Sequence, residues 1–152
     1  MWDKLSGLQQ ALLEAVEEHR MLCSSDVPDR GALSASRWRV AQAGRVRMDY
    51  LTGTVFPAIE AAHQDVPVRC AALRDATTSY QRDVSAYVAR WPTEAIMAQW
   101  DAYLREAQTF RASIVTRVSE EADVLRPILD RMAATRRPAP SRSFAGTGTP
   151  VP

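Results

Sequence analysis

The sequence predicts an all-α protein: one antiparallel four-helix bundle of up-down-up-down topology, followed by a disordered C-terminal tail. Three observations lead there. Apolar residues recur at steps of three and four through four long stretches, the spacing of a single helix face. Pro, Gly and capping residues gather between those stretches. No segment sustains period-two alternation and no Gly-Asn hairpin signal occurs, so no strand is expected.

The first helix is expected over residues 2–24, where Leu5, Leu8, Leu12, Val16, His19 and Cys23 fall on one face. Ser24 to Gly31 is a turn segment rich in capping residues. The second helix, residues 32–62, carries Leu33, Val40, Gly44, Arg47, Leu51, Val55 and Ile59 along its stripe. Asp65 reads as the N-cap of the third helix, with Pro67 tolerated in the first turn. That helix, residues 66–90, presents Val66, Cys70, Leu73, Thr77, Tyr80, Val84 and Tyr87, and Trp91-Pro92 stops it. Thr93 can cap the fourth, residues 94–132. There Ile96, Trp100, Tyr103, Ala107, Phe110, Ile114, Arg117, Glu121, Val124 and Ile128 alternate in steps of four and three, a seam suited to shallow-angle bundle packing. Short connections favour antiparallel neighbours. Residues 1–134 thus read as one domain, and residues 135–152, rich in Pro, Gly, Ser and Thr, as a tail with too little apolar surface to offset its ordering entropy.

A chain of 152 residues is long enough for an ordinary core. Its 19 basic and 18 acidic side chains nearly cancel, so no global field draws it to nucleic acid or to an anionic membrane. No apolar run approaches the ~20 residues that cross a bilayer. Acids and glutamines interrupt Met1–Arg20, where a signal peptide needs a continuous apolar segment, and the expected location is the cytoplasm. Cys23 and Cys70 lack a CxxC spacing and read as free thiols. Every basic residue but Lys4 is arginine, which points to a GC-rich bacterial genome.

The second and fourth helices match at a fixed offset. Arg47 precedes Pro57, within Val55-Phe56-Pro57-Ala58-Ile59, by the ten residues that separate Arg117 from Pro127, within Leu125-Arg126-Pro127-Ile128. Each proline should kink or end its helix. These segments resemble the second and fourth helices of haemerythrin-like (HHE cation-binding) domains, which carry H-x-x-x-E followed by an apolar-Pro-apolar end. The resemblance implies a four-helix bundle related to those that hold a di-iron centre. The ligands differ here: Arg47 and Arg117 stand where that pattern has histidine, Leu51 replaces one carboxylate, and Glu121 alone is retained. His19, in a Glu18-His19 pair, is displaced from the level of Arg47 by roughly 15 Å at the helical rise, and Leu8 or Gln9 comes closer to facing Arg47. Two guanidinium cations and two histidines in the whole chain cannot build a di-iron site. No metal and no cofactor is expected.

In place of a metal site, Arg47, Arg117 and Glu121 are expected to form a buried polar cluster, since charges on a buried seam must be paired. Arg30, Arg37, Arg39 and Arg45 form a second candidate set, a patch for an acidic or phosphate-bearing partner, set against ion pairing with Glu14, Glu17 and Glu18 of the first helix. Glu60 and His63 match a Glu-x-x-His spacing, but only once, and His63 reads as a solvated residue at a helix end. His19 reads as a hydrogen-bonded core residue. No nucleophile-base pair and no phosphate-binding glycine loop occurs. The leading expectation is a non-catalytic, haemerythrin-like interaction or regulatory module with a protein partner, and neither nucleic acid nor membrane. A metal- or oxygen-linked protein with unusual ligands, and a helical enzyme or small-ligand carrier, are the alternatives. Deletion of Pro138–Pro152 should leave the thermal midpoint unchanged within a degree or so; a drop of several degrees in a calorimetric scan would show that the tail packs on the helices.

Overall fold

The computed structural model describes residues 1–63 and 66–136, with Arg136 described in its backbone alone. All regular structure among them is helical. Helix α1 spans Trp2–Leu22 and α2 Arg30–Tyr50; the π-helical turn Leu51–Val55 joins α2 to α3, Phe56–Ala62. Helix α4 spans Val68–Arg90, α5 Thr93–Ala98 and α6 Trp100–Arg136. No helix among the described residues is long and apolar enough to cross a membrane.

Local chemistry explains most boundaries. Helix α1 stops at Leu22, two residues before the sequence predicts, as the Cys23 N–H closes the last turn on His19 O at 3.1 Å. Asp29 caps α2, its Oδ1 accepting from the Ala32 N–H at 2.9 Å, so the helix starts at Arg30 and takes Gly31 into its first turn. The stretch expected as one helix over residues 32–62 is interrupted by the π turn. Pro57 has no N–H to give to the Gly53 carbonyl, and its ring would press on that group. The wider turn, in which the Phe56 N–H reaches back to Leu51 O, relieves the conflict. Pro127 behaves otherwise: α6 runs through it to Arg136 instead of ending there.

Helix α4 begins at Val68, with the Pro67 carbonyl accepting from the Cys70 and Ala71 N–H groups at 2.8 and 3.0 Å. Asp65, read as its cap, lies outside the described residues. Pro92 disfavours helical geometry at Trp91 and ends α4 there. Thr93 is the first residue of α5, not its cap, and its hydroxyl meets that of Ser34 at 3.3 Å. The expected fourth helix divides at Gln99, whose backbone (φ −133°, ψ 49°) departs from helical values between α5 and α6. No breaker residue signals this. The cost in hydrogen bonds is small, because the Gln99 N–H still reaches Ala95 O at 3.0 Å and its carbonyl accepts from Tyr103 N–H at 2.9 Å. Thr135 and Arg136, read as tail, belong to α6; residues 137–152 lie outside the described residues.

The core has three tiers. At one end Leu5, Leu51, Val55, Ile59, Leu73 and Leu125 draw together α1, the π turn, α3, α4 and α6. At the other, Cys23, Leu33, Trp91, Ile96, Tyr103 and Ala107 form a cluster rich in aromatic surface. The indole N–H of Trp91, itself buried, is satisfied by Glu106 Oε2 at 2.8 Å. The middle tier is thinner. Its buried members, Leu12, Val16, Ile114 and Val118, come from α1 and α6 only, while α2 and α4 add half-buried Val40, Ala43 and Tyr80. At this level α2 borders the open space with the small residues Ala41 and Gly44.

Candidate functional site

Two polar assemblies lie among these helices. The first centres on Glu121, which is 0% exposed, with Arg47 at 1% and Arg117 at 8%. Arg47 Nη1 donates to Glu121 Oε2 at 2.7 Å, and Gln9 Nε2 donates to the same oxygen at 3.3 Å. Arg117 Nε stands 3.4 Å from Glu121 Oε1, at ion-pair distance but without hydrogen-bond alignment. The other end of Arg117 is anchored in α4: Nη2 donates to Thr77 Oγ1 at 2.6 Å and to Leu73 O at 3.0 Å, and the guanidinium carbon lies 5.8 Å from the centre of the Tyr80 ring. One carboxylate thus ties α1, α2 and α6 together, and Arg117 carries the link to α4. Arg47 Nε, Arg117 Nε and Glu121 Oε1 have no hydrogen-bond partner. Two cations against one carboxylate leave the cluster one positive charge in excess.

The second assembly lines an open cleft of about 710 Å³ in the thin middle tier, between α2 and α4, with α1 and α6 behind it. Its walls are largely aliphatic, with Leu12, Val16, Val40, Val84, Val88 and Ile114 among them. Tyr87 and Phe110 also border it, stacked on each other at 4.0 Å with planes 8° apart. At the end toward Tyr103 sits a connected polar group. Arg111 Nη1 lies 3.4 Å from His19 Nδ1, and His19 Nε2 lies 2.8 Å from the Tyr103 hydroxyl. A guanidinium can only donate, so Nδ1 accepts and Nε2 carries the proton given to Tyr103. Burial, with Arg111 and then Arg37 nearby, pushes the His19 pKa down to about 4, and the ring is neutral at pH 7. Burial likewise holds the phenols of Tyr103 and Tyr87 above their ordinary range.

The arginines read as one patch separate into different roles. Arg30 pairs with Glu94, Arg39 with Glu18 at 2.6 Å, and Arg45 with Asp49 at 3.8 Å. Arg37 turns into the cleft, its guanidinium 6.0 Å from the Tyr103 ring centre. Glu60 pairs with Arg74, and His63, half-buried at the end of α3, has Nδ1 3.0 Å from Ile59 O. Cys23 and Cys70 are free and buried, and burial raises both thiol pKa values. Among the described residues no group of three or more His, Cys, Asp or Glu could hold a metal ion.

Sequence reasoning passed over Arg111 as a site residue. Its signal was its place beside Phe110 and four residues after Ala107, at the edge of the apolar stripe. Gln9 was noted only as a neighbour of Arg47, and the structure gives it a bond to the carboxylate. What the fold and these sites define is an all-α protein with a buried ion cluster beside an amphipathic cleft. Comparison with protein-family models, with curated proteins and with solved structures finds no match.

Removing the carboxylate should be costly. Glu121→Ala leaves Arg47 and Arg117 buried without their counter-charge, and should lose about 3–5 kcal/mol in urea unfolding; a change within about 0.5 kcal/mol, the scatter of surface substitutions, would contradict this. His19 predicts a pH dependence. The unfolded chain protonates it near pH 6.5, whereas the folded chain resists until about pH 4. Stability is therefore whole above that window and falls as pH drops through it, by about 3 kcal/mol from this group. His19→Gln should remove that share of the slope between the two pH values; an unaltered slope would mean that the ring titrates normally.

Proposed function

We propose that the protein is a non-catalytic, up-down-up-down four-helix bundle that binds a small molecule in the cleft between α2 and α4. In support of the topology, Leu5 of α1 shares a cluster with Leu125 of α6 while His19 meets Tyr103, so the two helices pair start to end; Leu33 of α2 shares a cluster with Cys23, and Leu73 of α4 with Leu125. The haemerythrin-like spacing of Arg47 and Arg117 fits such a bundle, with the Glu121 ion cluster standing where the family's ligand pattern falls. Both oxygens of that carboxylate already face cations, and the cluster acts as a structural cross-link.

The single observation that carries the reading is the cleft itself. A largely apolar concavity of about 710 Å³ with a few convergent polar groups has the size and make-up of a small-molecule site. It carries more weight than the arginine patch as a docking face, because three of those four arginines are paired with carboxylates. The test is a fluorescence titration with the uncharged apolar probe Nile red. The expected result is saturable binding at one site per chain, removed by Val84→Trp, which fills the cleft from α4, with the helical circular dichroism unchanged. Binding that does not saturate, or that survives Val84→Trp, would overturn the reading.

A further inference from the structure

The charges along the cleft do not balance, and the imbalance is local. Four arginines line it, Arg37, Arg45, Arg47 and Arg111, against one acid, Asp49. Asp49 pairs with Arg45, and Glu121, behind the wall, pairs with Arg47. That leaves Arg37 and Arg111, which among the described residues have no carboxylate within 4 Å. Glu17, whose carboxylate feels the charge of Arg111, has its own bonds to Arg20. Both guanidinium groups lie at the His19–Tyr103 end. His19 cannot serve as their counter-ion, and as an acceptor from Arg111 it keeps one donor of that group engaged while the remaining donors stay available. A half-buried pair of like charges facing an apolar cleft is held at an electrostatic cost that an anion would remove.

The rest of the cleft specifies what the anion is attached to. From Arg37 to Met48 the wall formed by α2 is ~16 Å long at the helical rise, and Tyr103 to Ile114 gives a matching length on α6. Tyr87 and Phe110 turn one ring face each onto the other, the Tyr80 ring lies beside the Arg117 guanidinium and the Tyr103 ring beside that of Arg37. Along the length between them runs an aliphatic trough of Leu12, Val16, Val40, Val84, Val88 and Ile114. Resting on the reading of the cleft as a small-molecule site, we propose that its ligand is an unbranched aliphatic monocarboxylate, a fatty acid of medium chain length, with the carboxylate held between Arg37 and Arg111 and the chain lying along the trough toward Met48. Arginine suits this role, since its planar fork pairs with both oxygens of a carboxylate.

The experiment is isothermal titration calorimetry of the full chain with dodecanoate, below its micellar concentration, beside dodecanol and dodecyl phosphate. One site per chain is expected for dodecanoate. Arg37→Met and Arg111→Met should each weaken it about tenfold or more, the scale of a lost charge-assisted hydrogen bond. Dodecanol should bind the original protein about tenfold or more weaker than dodecanoate, and should bind the double Met variant no worse than the original. Val84→Trp should abolish both. Arg37→Lys and Arg111→Lys, which keep the charge, should recover part of the affinity, with unfolding midpoints unchanged; Met variants that bind dodecanoate as tightly as the original protein would remove the arginines from the site. Equal affinity for dodecanol and dodecanoate, abolished by Val84→Trp, would overturn the carboxylate while leaving the cleft as an apolar binding site. Tighter binding of dodecyl phosphate would replace the carboxylate by a phosphate ester. No binding of any of the three would overturn both the ligand class and the reading on which it rests.

Discussion

A carboxylate shut away from water among four helices sets the terms for the rest of the molecule. Glu121 has no exposed surface, and its charge is tolerable there only because Arg47 lies at 2.7 Å, Gln9 donates from α1 and Arg117 stands on the same helix face. Such a cluster contributes less through net energy than through the arrangement it demands. Two long cationic side chains must enter from α2 and α6 at one level, and Thr77 and the Leu73 carbonyl must be at hand on α4 to receive Arg117. A slip of one turn in any of these helices would strand a charge in the core. Register is thereby specified more sharply than by aliphatic side chains, which can repack at little cost.

Fixing the helices at that level has consequences on either side. Toward the chain's N-terminus the helices close on a dense aliphatic cluster, helped by the π turn that rotates Val55 and Phe56 inward. Toward Tyr103 the aromatic cluster closes the other end. Between them α2 and α4 stand apart, small residues on α2 leaving unfilled the space that becomes the cleft. The same rigid ends that hold the helices keep the trough open. The neutral His19, caught between Arg111 and Tyr103, orders its polar end without adding to the charge already there.

Much of this was legible in the sequence. The stripes Leu5–Leu12–Val16–His19 and Tyr103–Ala107–Ile114–Arg117–Glu121 are buried faces of α1 and α6, as period and composition require. The turn residues at Asp29 and Pro92 mark real boundaries, because capping and the absence of an N–H act on immediate neighbours. The need of buried Arg47, Arg117 and Glu121 for one another could also be argued in advance, since electrostatics forbids leaving any of them alone on a buried seam.

Other features depend on contacts between residues far apart in the chain. The break at Gln99 carries no local signal, and Pro57 and Pro127, alike in sequence setting, act differently, one preceded by a π turn and the other passed through by α6. Arg37 read as a member of a partner patch and Arg111 carried no reading at all; only the packing of the helices brings both to one cleft. The sequence alone determined the helical class, the buried stripes and the chemistry that a charged seam requires, because these follow from local periodicity and the cost of desolvation. Pairs four apart on one helix, such as Arg45–Asp49, are local, but tertiary structure alone decided that Arg47 meets Glu121 and that Arg37 and Arg111 face the cleft, because that depends on the distances between helices, and no pattern within one helix encodes them.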